Sequence, residues 1–224
     1  MKLSIIIPVY NEASTIGEII RQIKGVKGFE KEIIVVDDAS TDSTFKVIKK
    51  INKIRIVRHS MNQGKGSAIR TGIAQATGDY LLVQDADLEY DPQDIQLMLD
   101  PVKRGKAEVV YGSRFTGQHR NMFFWHWMGN QLLTFVTNML YNTTLSDMET
   151  CYKLMPLSLA KSLNLQAQRF EFEPEVTAKI LKRGIRIWEV PISYAGREYQ
   201  DGKKISWKDG MPALWTLIKY RFVE

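Results

Sequence analysis

Tyr80-Leu81-Leu82-Val83-Gln84-Asp85-Ala86-Asp87-Leu88-Glu89 opens as a short apolar run and turns acidic without a break. The first four residues suit a buried strand. Asp85 and Asp87 stand two apart, so extended backbone sends both carboxylates to one face. The strand pattern stops there, which puts the pair at a strand's C-terminal end, where open α/β sheets bind their ligands. Two or three carboxylates at such a mouth suit a hard divalent cation that also holds phosphates. The same residues also suit an acidic loop capping the next helix, with Asp91-Pro92 starting it.

Working outward, the first hundred residues alternate two patterns. Leu3–Val9, Glu32–Val36, Ile54–Arg58 and Tyr80–Val83 are apolar, β-branched runs. Between them Ser14–Ile23, Thr44–Ile51 and Lys65–Ala76 carry apolar residues at helical spacing, as in Ile16, Ile19, Ile20 and Ile23. The alternation predicts βαβ units and a mostly parallel sheet flanked by helices. Right-handed crossovers put every strand C-terminus on one edge. That edge collects Pro8–Glu12, Asp37–Ser43, His59–Gly66 and Asp85–Glu89, four polar loops that together make a nucleotide-type site.

Each loop has usable chemistry. Asp37 and Asp38 offer acceptors for a nucleobase or ribose, and Ser40 or Asp42 also suits the cap of the following helix. Asn62-Gln63-Gly64-Lys65-Gly66 supplies exposed N–H groups and a cation, Lys65, at a helix start, which suits phosphate. Its spacing is neither that of the P-loop nor that of the GxGxxG dinucleotide fingerprint.

The chain has 224 residues and a formal charge of +6, which favours anionic partners. No nucleic-acid-binding motif accompanies the charge, so nucleic acid is not an expected partner. Cys151 is the single cysteine, which excludes an internal disulfide framework and fits a reducing, cytoplasmic compartment. His59, His119 and His126 are too scattered for a zinc site. The N-terminus runs directly into a strand and does not read as a signal peptide.

Beyond Asp100 the pattern changes. Val109–Phe115 reads as a strand ending in an exposed arginine, Arg114. Met122–Leu140 is rich in large apolar residues, among them Phe123, Phe124, Trp125, Trp127 and Phe135, but His126, Asn130, Gln131 and Asn138 make it a poor spanning helix. It reads either as a core helix or as an amphipathic helix lying in a membrane interface. The tail Met211–Val223 has a similar choice.

Taken together, Ile7-Pro8-Val9-Tyr10-Asn11-Glu12, Val36-Asp37-Asp38-Ala39-Ser40-Thr41-Asp42, Asn62–Gly66 and Asp85-Ala86-Asp87 resemble, in order and separation, the family 2 inverting glycosyltransferases of the GT-A (Rossmann-like) fold. Gly112-Ser113-Arg114-Phe115 and Glu189-Val190-Pro191-Ile192-Ser193-Tyr194, followed by Arg197, resemble the dolichyl-phosphate mannose synthase branch. The resemblance covers roughly residues 3–204 and implies one glycosyltransferase domain over 1–204, its donor half 1–100 and its acceptor half 101–204, with an amphipathic tail over 205–224.

The resemblance implies that Pro8, Tyr10 and Glu12 lie against the nucleoside and that Asp37 or Asp38 binds the base. Asp85, Ala86 and Asp87 form the DXD-type motif that coordinates Mg²⁺ or Mn²⁺ on the donor diphosphate, with Glu89 as a third ligand. Arg114 and Arg197 would bind the acceptor phosphate, with Lys203 or Lys204 nearby. Two departures stand out. Ser146–Lys153 puts Cys151 and Lys153 where the branch has glycine and arginine, and no arginine occupies helix 122–140, leaving His126, Asn130 or the preceding Arg120 as substitutes.

The implied reaction moves a hexose, of the GDP-mannose or UDP-glucose type, from a nucleoside-diphosphate sugar to a polyprenyl phosphate, on an enzyme peripheral to the cytoplasmic face of the membrane. A phosphate acceptor is already anionic at neutral pH and needs no general base. A saccharide, lipid or protein hydroxyl would need one, and Asp147 or Glu149 is then the candidate. A non-catalytic nucleotide-sugar binder is the remaining alternative.

Overall fold

The computed structural model describes residues 1–197 and 210–223, so Lys203 and Lys204 lie outside the described residues. Chain order is β1 (Lys2–Val9), α1 (Ile16–Gly25), β2 (Glu30–Asp37), α2 (Thr44–Ile48), β3 (Arg55–Arg58), α3 (Lys65–Gln75) and β4 (Tyr80–Val83). A 3₁₀ turn at Pro92–Asp94 leads into α4 (Ile95–Lys103), then β5 (Val109–Ser113), α5 (Phe124–Tyr141), β6 (Lys153–Pro156), α6 (Leu157–Ser162), α7 (Phe172–Lys182), β7 (Ile187–Pro191) and α8 (Gly210–Phe222).

The sheet has seven strands in the order β3-β2-β1-β4-β6-β5-β7. The first four are mutually parallel, β5 and β7 are parallel, and β6 runs antiparallel to both of its neighbours. The mostly parallel α/β architecture expected from the alternating pattern is therefore present. β1 is buried on both faces, which is why Ile5, Ile6 and Ile7 can stand side by side without a polar residue between them. α1 packs on the sheet through the same four isoleucines that set its spacing. α3 approaches β1 so closely that a Cβ at Gly72 would sit 2.5 Å from Ile6 Cγ2, so only glycine fits there.

α2 ends three residues before the predicted boundary. Lys50 and Ile51 bond back to Val47 and Ile48, the tighter pattern of a closing turn. Ser43 takes the N-cap position of α2 without a side-chain bond, and of the two expected caps Asp42 comes nearer: its Oδ1 accepts from Thr44 N at 2.9 Å, while Ser40 Oγ accepts from Asn11 N at 3.0 Å. Asp91 likewise caps the 3₁₀ turn by accepting from Gln93 N.

α5 buries only a narrow stripe. Leu133, Val136, Leu140 and Tyr141 pack with Met148, Ala178, Leu217 and Tyr220, joining α5 to α7 and α8. Thr134 and Thr137 are its fully buried members. The large side chains turn outward: Trp125 is 74% exposed, Phe135 63% and Met139 65%. α8 continues that surface through Met211, Trp215 and Phe222. No helix among the described residues is long and apolar enough to cross a membrane.

Candidate active site

The C-terminal ends of β1, β2, β3 and β4 form one rim, and the loops leaving them bind each other first. Asp38 accepts from Gln63 N at 2.9 Å and from Gly64 N at 2.7 Å, and lies 2.7 Å from His59 Nδ1. His59 Nε2 in turn reaches Thr71 Oγ1 at 2.9 Å. Asp37 accepts from Ser40 N and pairs with Arg58 Nε, both at 3.0 Å. Both aspartates are buried and spent on shaping their loops. Pro8 is buried on the neighbouring strand opposite Val36, Tyr10 is half-buried, and Asn11 takes φ +54° so that its Oδ1 meets Thr41 N.

The glycine loop is pressed from above. Gly64 has φ +93°, and a Cβ there would lie 2.4 Å from Gln168 O. The covering segment is itself held by the buried Glu175, which accepts from Gln166 N at 2.8 Å and from Ala167 N at 2.6 Å.

The acidic centre follows. Asp85 and Asp87 come together at the end of β4, with buried Ala86 between them. Lys65 does not stand free: its Nζ lies 2.9 Å from Asp85 and 3.1 Å from Glu173. Burial disfavours the ammonium, but the two carboxylates outweigh it and keep Lys65 charged. Glu173, on the first turn of α7, has no role in the sequence reading. Two glutamates in Phe172-Glu173-Pro174-Glu175 look like ordinary first-turn acids, whereas here both are buried.

Asp87 is raised to about 7, first by burial and then by Asp85 and Glu89, with Arg197 opposing. A carboxylate crowded by its own kind is a natural cation site. An all-oxygen donor set of this kind fits Mg²⁺ or Mn²⁺. Asp85 and Asp87 would hold it, although no three ligand-type residues among those described are already clustered as a metal site. Glu89 is used otherwise. Its Oε2 accepts from Tyr194 OH at 2.7 Å, its Oε1 from Arg197 N at 2.8 Å, and its carbonyl from Ala195 N at 2.9 Å. Leu88 adopts φ +64° to allow this turn.

Arg197 lies across the same centre. Its guanidinium contacts both Glu12 oxygens at 3.2 and 2.9 Å, and its Nε donates to Asp87 O at 3.0 Å. Arg114, expected to be exposed, is instead buried just past the end of β5, because Asp147 supplies the countercharge that a buried guanidinium needs. Nε and Nη2 grip Asp147 at 2.7 and 2.8 Å, and Nη2 also donates to Asn130 Oδ1 at 2.9 Å. Asn130 belongs to α5, where its amide donates to His126 O. Thus Asn130 orients Arg114, and Asp147 is committed to the ion pair.

Beneath the centre runs Asp147–Lys153. Lys153 is almost fully buried, donates to Met148 O at 2.7 Å and to Thr150 O, and faces the Tyr111 ring at 4.6 Å. Burial lowers it to about 8 against the pull of Glu173, Glu149 and Asp147. Glu149 is raised to about 7 by burial and by Glu173, with Lys153 and Arg114 opposing. Cys151 Sγ rests 3.6 Å from Val83 O, beside Asp85.

Comparison with known proteins bears on the family and the fold. The chain is 30% identical over 224 residues to an uncharacterized protein of Methanocaldococcus jannaschii, covering 97% of this chain and 91% of that one. It is 28% identical to the UDP-N-acetylglucosamine–dolichyl-phosphate N-acetylglucosaminyltransferase of Methanococcus voltae, covering 96% and 94%. It is 34% identical over 119 residues to the dolichol-phosphate mannosyltransferase of Pyrococcus furiosus, covering 51% of this chain and 34% of that protein. Among solved structures, glucosyl-3-phosphoglycerate synthase of Mycobacterium tuberculosis, in complex with Mn²⁺ and UDP, shares the GT-A fold with a TM-score of 0.78 at 20% identity, covering 100% of this chain and 81% of that one. The family model for glycosyl transferase family 2 matches residues 4–163, well over half the chain, and the chain belongs to that family.

Proposed function

We propose that this glycosyltransferase moves a hexosyl group from a nucleoside-diphosphate sugar to a polyprenyl phosphate, with inversion and with Mg²⁺ or Mn²⁺ as cofactor. The observation that carries the reading is the bond from Arg114 to Asn130 of α5. It joins a buried cation, suited to a phosphate, to the base of a broad aromatic surface, suited to the lipid attached to that phosphate. The names of the M. voltae and P. furiosus relatives support the same acceptor class.

In this reading the metal, when bound, neutralises the leaving diphosphate. Asp85 and Asp87 supply its carboxylates, and Lys65 keeps Asp85 oriented by bridging it to Glu173. Arg114 Nη1, the nitrogen not used by Asp147, is the one left to bind the acceptor phosphate. That phosphate has a second pKa near 6 and attacks as the dianion, so no side chain has to remove a proton.

The test is a screen of labelled GDP- and UDP-sugars, with and without Mn²⁺, offering polyprenyl phosphate and a sugar alcohol side by side. Label should enter the organic phase only with metal present. Label confined to the sugar alcohol would replace the reading with transfer to a hydroxyl.

The exposed aromatic side chains of α5 and α8 support membrane contact. Burying a Trp or Phe side chain is worth about 1.5–3 kcal/mol. Trp125→Ser with Phe135→Ser should therefore weaken binding to anionic vesicles by at least about 10-fold in flotation, with solution melting unchanged. Equal flotation of wild type and variant would remove the lipid-facing role.

A further inference from the structure

We propose that Glu149 lines the subsite for the sugar being transferred and accepts a hydrogen bond from one of its hydroxyl groups. The inference rests on the reading that the rim binds a nucleoside-diphosphate sugar, and it assigns the chain's own recognition of the sugar.

Position comes first. Two residues before Glu149, Asp147 is locked to Arg114, the cation on the acceptor side. Two residues after it, Cys151 rests against the end of β4 beside Asp85, on the donor side. Glu149 therefore sits in the short segment that links the acceptor-side cation to the donor strand, with Arg114 among the charges that act on it. Lys153 fixes the bend by drawing in the carbonyls of Met148 and Thr150 on either side of it.

The second observation is an unmet bond. Glu149 Oε1 is buried and has no hydrogen-bond partner among the described residues, although the residue as a whole is only partly covered. A buried acceptor left without a donor needs an explanation. The nearby cations do not provide it: Arg114 is engaged by Asp147 and Asn130, Lys65 by Asp85 and Glu173, and Lys153 by backbone carbonyls.

The third is chemical selection. Glu149 has Glu173 and Asp147 as acidic neighbours, so a phosphate there meets like charge. A neutral, hydroxyl-bearing group meets an acceptor in need of a donor. Of the parts of a nucleotide-sugar, that describes the sugar and not the diphosphate.

The test separates the two by binding. Titrate wild type, Glu149→Gln and Glu149→Ala, with Mn²⁺, against UDP and GDP and against UDP-glucose, UDP-N-acetylglucosamine and GDP-mannose. Whichever nucleotide binds wild type should bind both variants within 2-fold. The matching nucleotide-sugar should bind Glu149→Ala about 10-fold more weakly than wild type, and Glu149→Gln, which keeps an acceptor oxygen, should recover part of the loss. Equal affinity of wild type and Glu149→Ala for the nucleotide-sugar overturns the proposal, as does loss of affinity for the bare nucleotide. Unchanged binding with a fall in turnover limited to hydroxyl acceptors overturns it in favour of a proton-removing role. If no nucleotide binds wild type, the donor reading itself fails, and with it the subsite.

Discussion

Asp87→Asn should remove sugar transfer by about 10³-fold or more, the scale on which losing one preorganised charge-stabilising group acts, while yielding a protein that melts higher than wild type at pH 8. The two effects share a cause. Asp87 is raised to about 7 because burial and the charges of Asp85 and Glu89 oppose its ionisation. In the unfolded chain it ionises near 4. Stability is therefore lost as pH rises from about 4 to 7 and stays lost above that. A three-unit shift sets an upper bound of about 4 kcal/mol. Asp87 is partly reached by solvent, so we expect about 1–2 kcal/mol, or roughly 2–8 °C in melting temperature. Asparagine removes the charge and the penalty. The gain should be present at pH 8 and absent at pH 4 by thermal unfolding. Wild-type turnover by the variant would sink the metal assignment, and equal melting at pH 8 would sink the account of its crowding.

Arg114→Ala should cost about 3–5 kcal/mol of folding stability, since it strands the fully buried Asp147 without its partner. Loss of activity in that variant would therefore say little about the acceptor. Arg114→Lys keeps the charge but not the paired grip. Its apparent requirement for polyprenyl phosphate should rise at least about 10-fold, the cost of roughly one charge-assisted bond, with the donor requirement within 2-fold. Arg114→Met with Asp147→Asn should recover much of the stability lost by Arg114→Ala without restoring acceptor affinity, because removing both charges is milder than removing one. Equal rises for donor and acceptor in Arg114→Lys would make Arg114 a structural residue only.

The first half of the fold was legible because each of its elements carries its own period. The isoleucines of α1 and the run of β1 each announce both type and buried face. The acidic pair was legible for a related reason: a two-residue spacing at the end of a strand has one geometric meaning. The partners of the site residues were not legible, because they come from distant positions. Nothing local to Lys65 points to Glu173, 108 residues on, and nothing in Glu89 points to Tyr194, 105 residues on. The sequence offered Asp37 or Asp38 as the ligand for a base, and gave no sign of the loop bonds that both also make. Met122–Leu140 could not be decided from composition, since an apolar helix looks the same until its neighbours show which side they cover.

The reversed strand β6 has a consequence for how the chain comes apart. β4 pairs on one side with β1 and on the other only through Met155 and Pro156 of β6, so the donor motif leaves the sheet between an early strand and a late one. Residues 147–152 then enter β6 at that junction and carry Glu149 and Cys151 with them. The sheet cannot lose its later strands and keep a finished donor edge, because β4 would be left as an open margin. Melting of the second half should drag the acidic centre with it in a single transition, and a chain cut near residue 100 would present an adhesive strand in place of a binding rim.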